Sequence, residues 1–229
     1  MVTVKLIQEA LAPFCNCAQA KQMESYMRDQ FPFLGIKTPE RRKAVKEVLK
    51  AQEFPNEEVL KNLVYTLWNL KEREYQNVAL DLLDRVKHYP IDYIELIETL
   101  MTTKSWWDTV DGLAVHSAGT YFQQFPDRTR GITEKWITSQ NMWLNRSAIL
   151  FQLSYKNKTD FEMLKRYILI HANSNEFFHQ KAIGWALREY SKTNSEDVVN
   201  FVNENNLAPL SKREALKFLK KQQNTHHTK

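Results

Sequence analysis

The chain has 229 residues, with 32 Lys+Arg against 27 Asp+Glu and a formal net charge of +5. Five Gly and seven Pro leave little material for tight hairpins, which argues against a sheet-rich fold and for an all-α protein. The mild basic excess permits a nucleic-acid partner without requiring one. Lys5 and Glu9 interrupt the apolar run that a signal peptide needs, and no stretch approaches the roughly 18 uncharged apolar residues of a membrane span.

A soluble, cytoplasmic protein is therefore expected. The length suits one elongated domain or two small ones. No linker composition separates two halves, so a single domain over 1–229 is the expectation. Cys15 and Cys17 form a lone C-x-C without the second ligand pair of a zinc site, so reduced thiols and no metal are expected. There is no phosphate-binding loop, dinucleotide fingerprint, H-E-x-x-H or nucleophile elbow, so no cofactor is implied.

In chain order, Leu6, Leu11, Met23, Tyr26 and Met27 keep a helical period up to the turn Phe33-Leu34-Gly35-Ile36, where Gly35 is expected at positive φ. Thr38-Pro39-Glu40-Arg41 reads as a helix start with Thr38 as N-cap. Val59/Leu60, Leu63/Val64 and Leu67/Trp68 mark one amphipathic helix after Asn56. Tyr75, Val78/Ala79 and Leu82/Leu83 mark its partner. Further helix pairs span 91–101 with 105–122, 127–138 with 141–155, and 160–171 with 175–190. Two more helices close the chain, one after Asn194 and one from Ser211. Thr159/Glu162 and Ser211/Glu214 read as capping boxes, and the tail over 222–229, with His226 and His227, is expected to fray.

The second helices share a weak repeat. Tyr75, Trp107, Trp143 and Phe178 open similar segments at spacings of about 32 to 36 residues, a period of stacked helical hairpins whose equivalent helices line a concave surface. Within it, Lys104-Ser105-Trp106-Trp107-Asp108-Thr109-Val110-Asp111 spends two indoles and two carboxylates in six residues. With Ser105 as cap, Trp107 and Asp111 share one helical face, and Trp106 and Val110 face the interior. That stretch also fits core tryptophans with acids at a helix N-terminus. Arg146 and Lys181 occupy matching repeat positions, and Trp185 lies one turn past Lys181, so an acid, two bases and two tryptophans converge from three helices. Lys104, Lys156, Lys158, Arg188, Lys192 and the Arg41-Arg42-Lys43 cluster flank them, and Arg41, Lys156 and Arg188 are expected to touch phosphates.

Four segments carry a resemblance: 33–42 (FLGIKTPERR), 104–111 (KSWWDTVD), 143–153 (WLNRSAILFQL) and 181–190 (KAIGWALREY). Over about Tyr26 to Lys217 the chain resembles the bacterial DNA alkylation repair glycosylases of the AlkD family. The resemblance implies an all-α, HEAT-like solenoid of stacked antiparallel helix pairs whose concave face holds double-stranded DNA. It also implies excision of positively charged N3- and N7-alkylated purines without base flipping. A monomer with no obligate protein partner is expected, because the repeat faces already stack internally. Position by position, it places the catalytic aspartate on Asp111, the lesion-facing tryptophans on Trp107 and Trp185, the active-site arginine on Arg146, and a DNA-approaching tyrosine on Tyr26. Lys37, Thr38, Arg41, Lys104, Lys156, Lys181 and Arg188 complete the expected DNA contacts. Family members carry Gln where Lys37 stands, which implies a phosphate pairing there. The competing reading, from a different class, is a non-catalytic HEAT scaffold that binds damaged or branched DNA or a protein.

Overall fold

A computed structural model describes residues 1–226, with side chains to Gln222, so His227 and the end of the expected frayed tail lie outside the described residues. Among the described residues every regular element is helical. The chain, expected as a single domain, clusters into two compact units, Met1–Pro90 and Ile91–Lys229.

The first unit holds α1 (Val4–Leu11), α2 (Cys17–Tyr26), α3 (Thr38–Ala51), α4 (Glu57–Asn69) and α5 (Arg73–Leu83). Asn side chains start two of them by accepting backbone N–H bonds, Asn16 from Gln19 (3.0 Å) and Asn56 from Val59 (3.0 Å). The paired apolar positions Leu63/Val64, Leu67/Trp68, Val78/Ala79 and Leu82/Leu83 are all buried, which seals α4 against α5. Gly35 stands at φ +83°, and a Cβ there would lie 2.0 Å from the Asn16 carbonyl oxygen. Glycine is therefore required twice over, for conformation and for space.

The second unit opens with α6 (Tyr93–Thr102). A continuous rod follows, formed by α7 (Trp107–Gly112), a π-helical turn (Leu113–Ala118) and α8 (Gly119–Gln124). Then come α9 (Pro126–Ile137), α10 (Met142–Leu150), α11 (Phe161–Ile170), α12 (Phe177–Tyr190), α13 (Ser195–Glu204), α14 (Pro209–Ala215) and α15 (Lys217–His226). Caps again set the starts: Asn141, Asp160 and Asn194 accept from Trp143, Met163 and Asp197.

Several local expectations are corrected. Ser105 does not cap α7; its hydroxyl donates back to the Met101 carbonyl (2.6 Å), and extended Trp106 is the cap residue. The cap of α3 is Lys37 rather than Thr38, and that of α11 is Asp160 rather than Thr159. Ser211 and Glu214 form no capping box, because both lie inside α14 and turn toward α12: the Ser211 hydroxyl donates to the Gln180 carbonyl (3.0 Å). The helix that begins near Asn141 stops at Leu150, where Gln152 leaves the helical pattern to pair with the backbone of Asp160 in both directions.

One device recurs that periodicity does not reveal. Near the start of a second helix an amide side chain donates to carbonyls at or just past the end of the first. Gln76 caps Leu67, Trp68 and Leu70 (3.3, 3.0 and 2.8 Å). Asn145 caps Trp136, Ile137 and Ser139 (2.8, 3.1 and 2.9 Å), and Gln180 reaches Ser174 (2.9 Å). Each amide bonds carbonyls at or just past a helix end, where helical partners run short, and fixes the hairpin register as it does so. Asn145→Ala leaves the Ser139 carbonyl without its donor, while Trp136 keeps the Ser139 N–H (3.2 Å) and Ile137 keeps the His171 ring (2.9 Å), and is expected to cost about 1–3 kcal/mol. In urea this appears as a lower midpoint with an unchanged slope; an unmoved midpoint would show that water replaces the amide without loss.

Candidate active site

Three helices of the second unit supply the site: α7 gives Trp107 and Asp111, α10 gives Arg146, and α12 gives Trp185. Asp111 and Arg146 meet in a two-point pair, Nε donating to Oδ1 (2.6 Å) and Nη2 to Oδ2 (2.8 Å). Nη1 donates to the Phe178 carbonyl (2.6 Å), so one guanidinium ties together α7, α10 and α12. Its side chain is 1% exposed, whereas that of Asp111 keeps 21%, which leaves the carboxylate as the member of the pair that faces outward. Burial pushes the Asp111 carboxyl above its ordinary value; the Arg146 hydrogen bonds and charge oppose that push, and Asp108 adds to it.

Trp185 stands beside this pair, with the Arg146 guanidinium 5.1 Å from its ring centre and the Lys181 ammonium also at 5.1 Å. Trp107, one turn before Asp111 on α7, is half-buried. Behind them Trp106, Trp143 and Phe178 form an aromatic cluster, with centroid separations of 5.8, 5.3 and 4.9 Å. The repeat foreshadows two of its members, Trp143 and Phe178. The third is Trp106, not Trp107, because the cluster takes the ring that turns inward. His179, next to Phe178, is pushed down to about 4, chiefly by burial and then by the charge of His171, so it stays neutral beside the pair.

The expected phosphate contacts divide into two kinds. Lys156 is exposed and Lys104 half-buried, and both adopt the left-handed backbone region, φ 56° and 48°. That conformation costs a lysine of order 1 kcal/mol and recurs where a side chain is held for use. The loop of Lys156 is pinned by the Tyr155 hydroxyl, which donates to the Gly119 carbonyl (2.6 Å). Lys181 and Arg188 are instead committed to a carboxylate absent from the expected site: Glu214 on α14 accepts from Lys181 Nζ (3.0 Å) and Arg188 Nη1 (3.1 Å). A sequence reading assigns Glu214 to a cap, and only the position of α14 along α12 reveals its partners.

In the first unit Tyr26 is 71% exposed at the end of α2, and Lys37 and Thr38 are exposed where α3 begins. The preceding loop is gripped by the buried Glu74, whose carboxylate accepts from the backbone N–H groups of Leu34, Gly35 and Ile36 (2.9, 2.9 and 3.0 Å). Arg41 does not suit its expected phosphate contact. It is 5% exposed and donates to Asp81 through Nε (3.3 Å) and Nη2 (3.1 Å). Arg42, paired with the same aspartate (2.9 Å), has a side chain 62% exposed and is the better placed cation.

Among the described residues no group of three or more His, Cys, Asp and Glu side chains is placed to hold a metal ion, and no helix is long and apolar enough to cross a membrane. Known proteins resemble this arrangement over its length. The sequence model of a family described as DNA alkylation repair enzyme matches residues 7–219. A solved structure described as a predicted DNA alkylation repair enzyme from Enterococcus faecalis superposes with a TM-score of 0.84. It has 35% identity, over 90% of this chain and 96% of that one. No curated protein matches the chain.

Because Arg146 opposes the effect of burial on Asp111, Arg146→Met is expected to move the Asp111 protonation midpoint further upward, followed by carboxyl carbon NMR. A midpoint that stays in place would mean that the pair seen here is not what holds the carboxylate ionised.

Proposed function

The chain belongs to the DNA alkylation repair enzyme family, and from that premise we propose that it is a DNA glycosylase that hydrolyses the N-glycosidic bond of positively charged N3- and N7-alkylated purines in duplex DNA. The observation that carries this reading is the Asp111 carboxylate, partly exposed, fixed at both oxygens by a buried arginine, and flanked by Trp107 on its own helix and Trp185 beside its partner. A glycosidase acting on a neutral leaving group needs one carboxylic acid to protonate it and a second carboxylate across the sugar. An N3- or N7-alkylpurine already carries its positive charge. When the bond from C1′ to the purine nitrogen breaks, the electron pair goes to the base, which leaves neutral without an acid.

One carboxylate then suffices. Asp111 stabilises the cation that develops on deoxyribose and orients the water that adds to C1′, and the water's proton passes to the carboxylate or to solvent. The raised affinity of Asp111 for a proton favours that last step. Trp107 and Trp185 offer ring faces to the cationic nucleotide. Arg146, the active-site arginine of the resemblance, holds the carboxylate in this proposal, because all three of its nitrogens donate within the protein. Phosphate contacts fall to Lys104 and Lys156 in the second unit and to Lys37, Thr38 and Arg42 in the first, with Tyr26 as an aromatic contact. In this proposal no pocket encloses the base, so selection rests on lesion charge and bond lability, without base flipping, by a monomer.

Asp111→Asn keeps shape and removes charge, so single-turnover release of 7-methylguanine from a duplex is expected to fall by on the order of 10²-fold or more, with duplex affinity little changed. Asp108→Asn, about 100° round the helix from Trp107, is the control and is expected near the parent rate. In the parent, release falls as pH drops through the raised Asp111 pKa, since only the ionised form acts. A parent that releases no base, or an Asp111→Asn variant as fast as the parent, would replace this reading with that of a non-catalytic DNA-binding scaffold.

A further inference from the structure

Two of the cations that sequence reasoning assigns to DNA are already paired with one carboxylate, and that partner is placed with unusual definition. Along α14, Ser211 and Glu214 press on one face of α12: the Ser211 hydroxyl bonds the Gln180 carbonyl (3.0 Å), and a Cβ on Gly184 would lie 2.4 Å from the Glu214 Cβ. Glycine at 184 is what lets α14 lie this close. Glu214 is 8% exposed and presents one oxygen to each of two cations a helical turn or two apart, Oε1 to Lys181 and Oε2 to Arg188. The same Lys181 ammonium sits 5.1 Å from the centre of the Trp185 ring, whose other close cation is Arg146.

Charge decides what this does. Arg146 is balanced by Asp111, while Lys181 and Arg188 share the single charge of Glu214, so the cluster around Trp185 carries two carboxylates against three cations. Without Glu214 a positively charged nucleotide approaching that ring meets one more uncompensated charge, and two cations become free to hold phosphates of any DNA. We propose that Glu214 is a positioning residue that pairs Lys181 and Arg188 beside Trp185 and withholds both from the DNA backbone, so that the site favours a cationic base over nonspecific phosphate grip. Hydrogen bonding and charge from Lys181, with Lys217 and Arg188, outweigh burial and hold the Glu214 carboxyl below its ordinary range, in keeping with a carboxylate that remains ionised in this role. The catalytic arm of the proposal rests on the excision reading above; the binding arm does not.

The test uses the full chain and Glu214→Gln, which preserves the Cβ against Gly184. Affinity for an unmodified duplex is measured across a salt series, and release of 7-methylguanine is measured under single turnover. The variant is expected to bind unmodified duplex more tightly, with a log-log salt slope steeper by about 0.9 for each freed cation that reaches a phosphate, and to release 7-methylguanine about tenfold more slowly. Lys181→Met added to Glu214→Gln takes back one cation's share of the slope. Should Glu214→Gln fail to fold, Arg188→Gln with Glu214 intact decides the same point, since a withheld cation leaves the parent slope unchanged on removal. A merely structural Glu214 predicts a lower melting temperature with equal or weaker duplex binding and no steeper slope, and that result overturns the proposal, as does a flatter slope in Arg188→Gln. A parent that releases no base overturns the glycosylase reading alone, while the salt slopes still decide whether Glu214 restrains these cations.

Discussion

The pair between Asp111 and Arg146 is the constraint on which the second unit turns. A guanidinium that is 1% exposed must find acceptors for its nitrogens or lose hydration without replacement, and here each of the three nitrogens has one: two carboxylate oxygens from α7 and a backbone carbonyl from α12. The planar fork of arginine suits a two-point contact that a lysine ammonium cannot make. Removing either partner would strand a charge in a low-dielectric setting, which is why such pairs fix geometry even where they add little net stability. The carboxylate is thereby aimed by three helices at once.

That aim requires each hairpin to hold its register, because a slip of one residue turns a helical side chain by about 100°. The amide staples meet this requirement from positions next to the charged ones. Asn145, which fixes α10 to the end of α9, immediately precedes Arg146, and Gln180, which reaches the loop after α11, immediately precedes Lys181. On the third helix the π-helical turn directly after Asp111 does related work. It takes up an extra residue, so that Trp107 and Asp111 keep their face while Ala118, Tyr121 and Phe122 turn into the core.

Positive charge on this protein is of two sorts with different consequences. Lys156 and Lys37 are exposed and able to exchange counterions for phosphates, giving salt-dependent affinity, and Arg42 stands between the two sorts, exposed yet paired with Asp81. Arg41, Arg146, Lys181 and Arg188 are each held by a carboxylate from another helix, and they shape the protein from within. The net charge of +5 does not distinguish them. A cationic substrate is better served by a site whose own cations are paired, since an unpaired one would oppose it.

What the sequence determined by itself was periodic or local. Paired apolar residues every fourth position placed α4 and α5. Asn56, Asn141 and Asn194 marked helix starts through their own side chains, and Gly35 announced its positive φ. The segment of Trp107 and Asp111, with Arg146 and Lys181 at matching repeat positions and Trp185 one turn past Lys181, identified the family and the helices that carry the candidate site. Tertiary structure alone decided which charges meet. Whether Ser211 and Glu214 cap their own helix or grip α12, and whether Arg41 faces solvent or Asp81, both depend on how closely neighbouring helices approach. A three- or four-residue spacing names the face a side chain occupies, but not what lies opposite it; that is fixed only when small residues such as Gly184 and Gly119 let another helix come near enough to offer a partner.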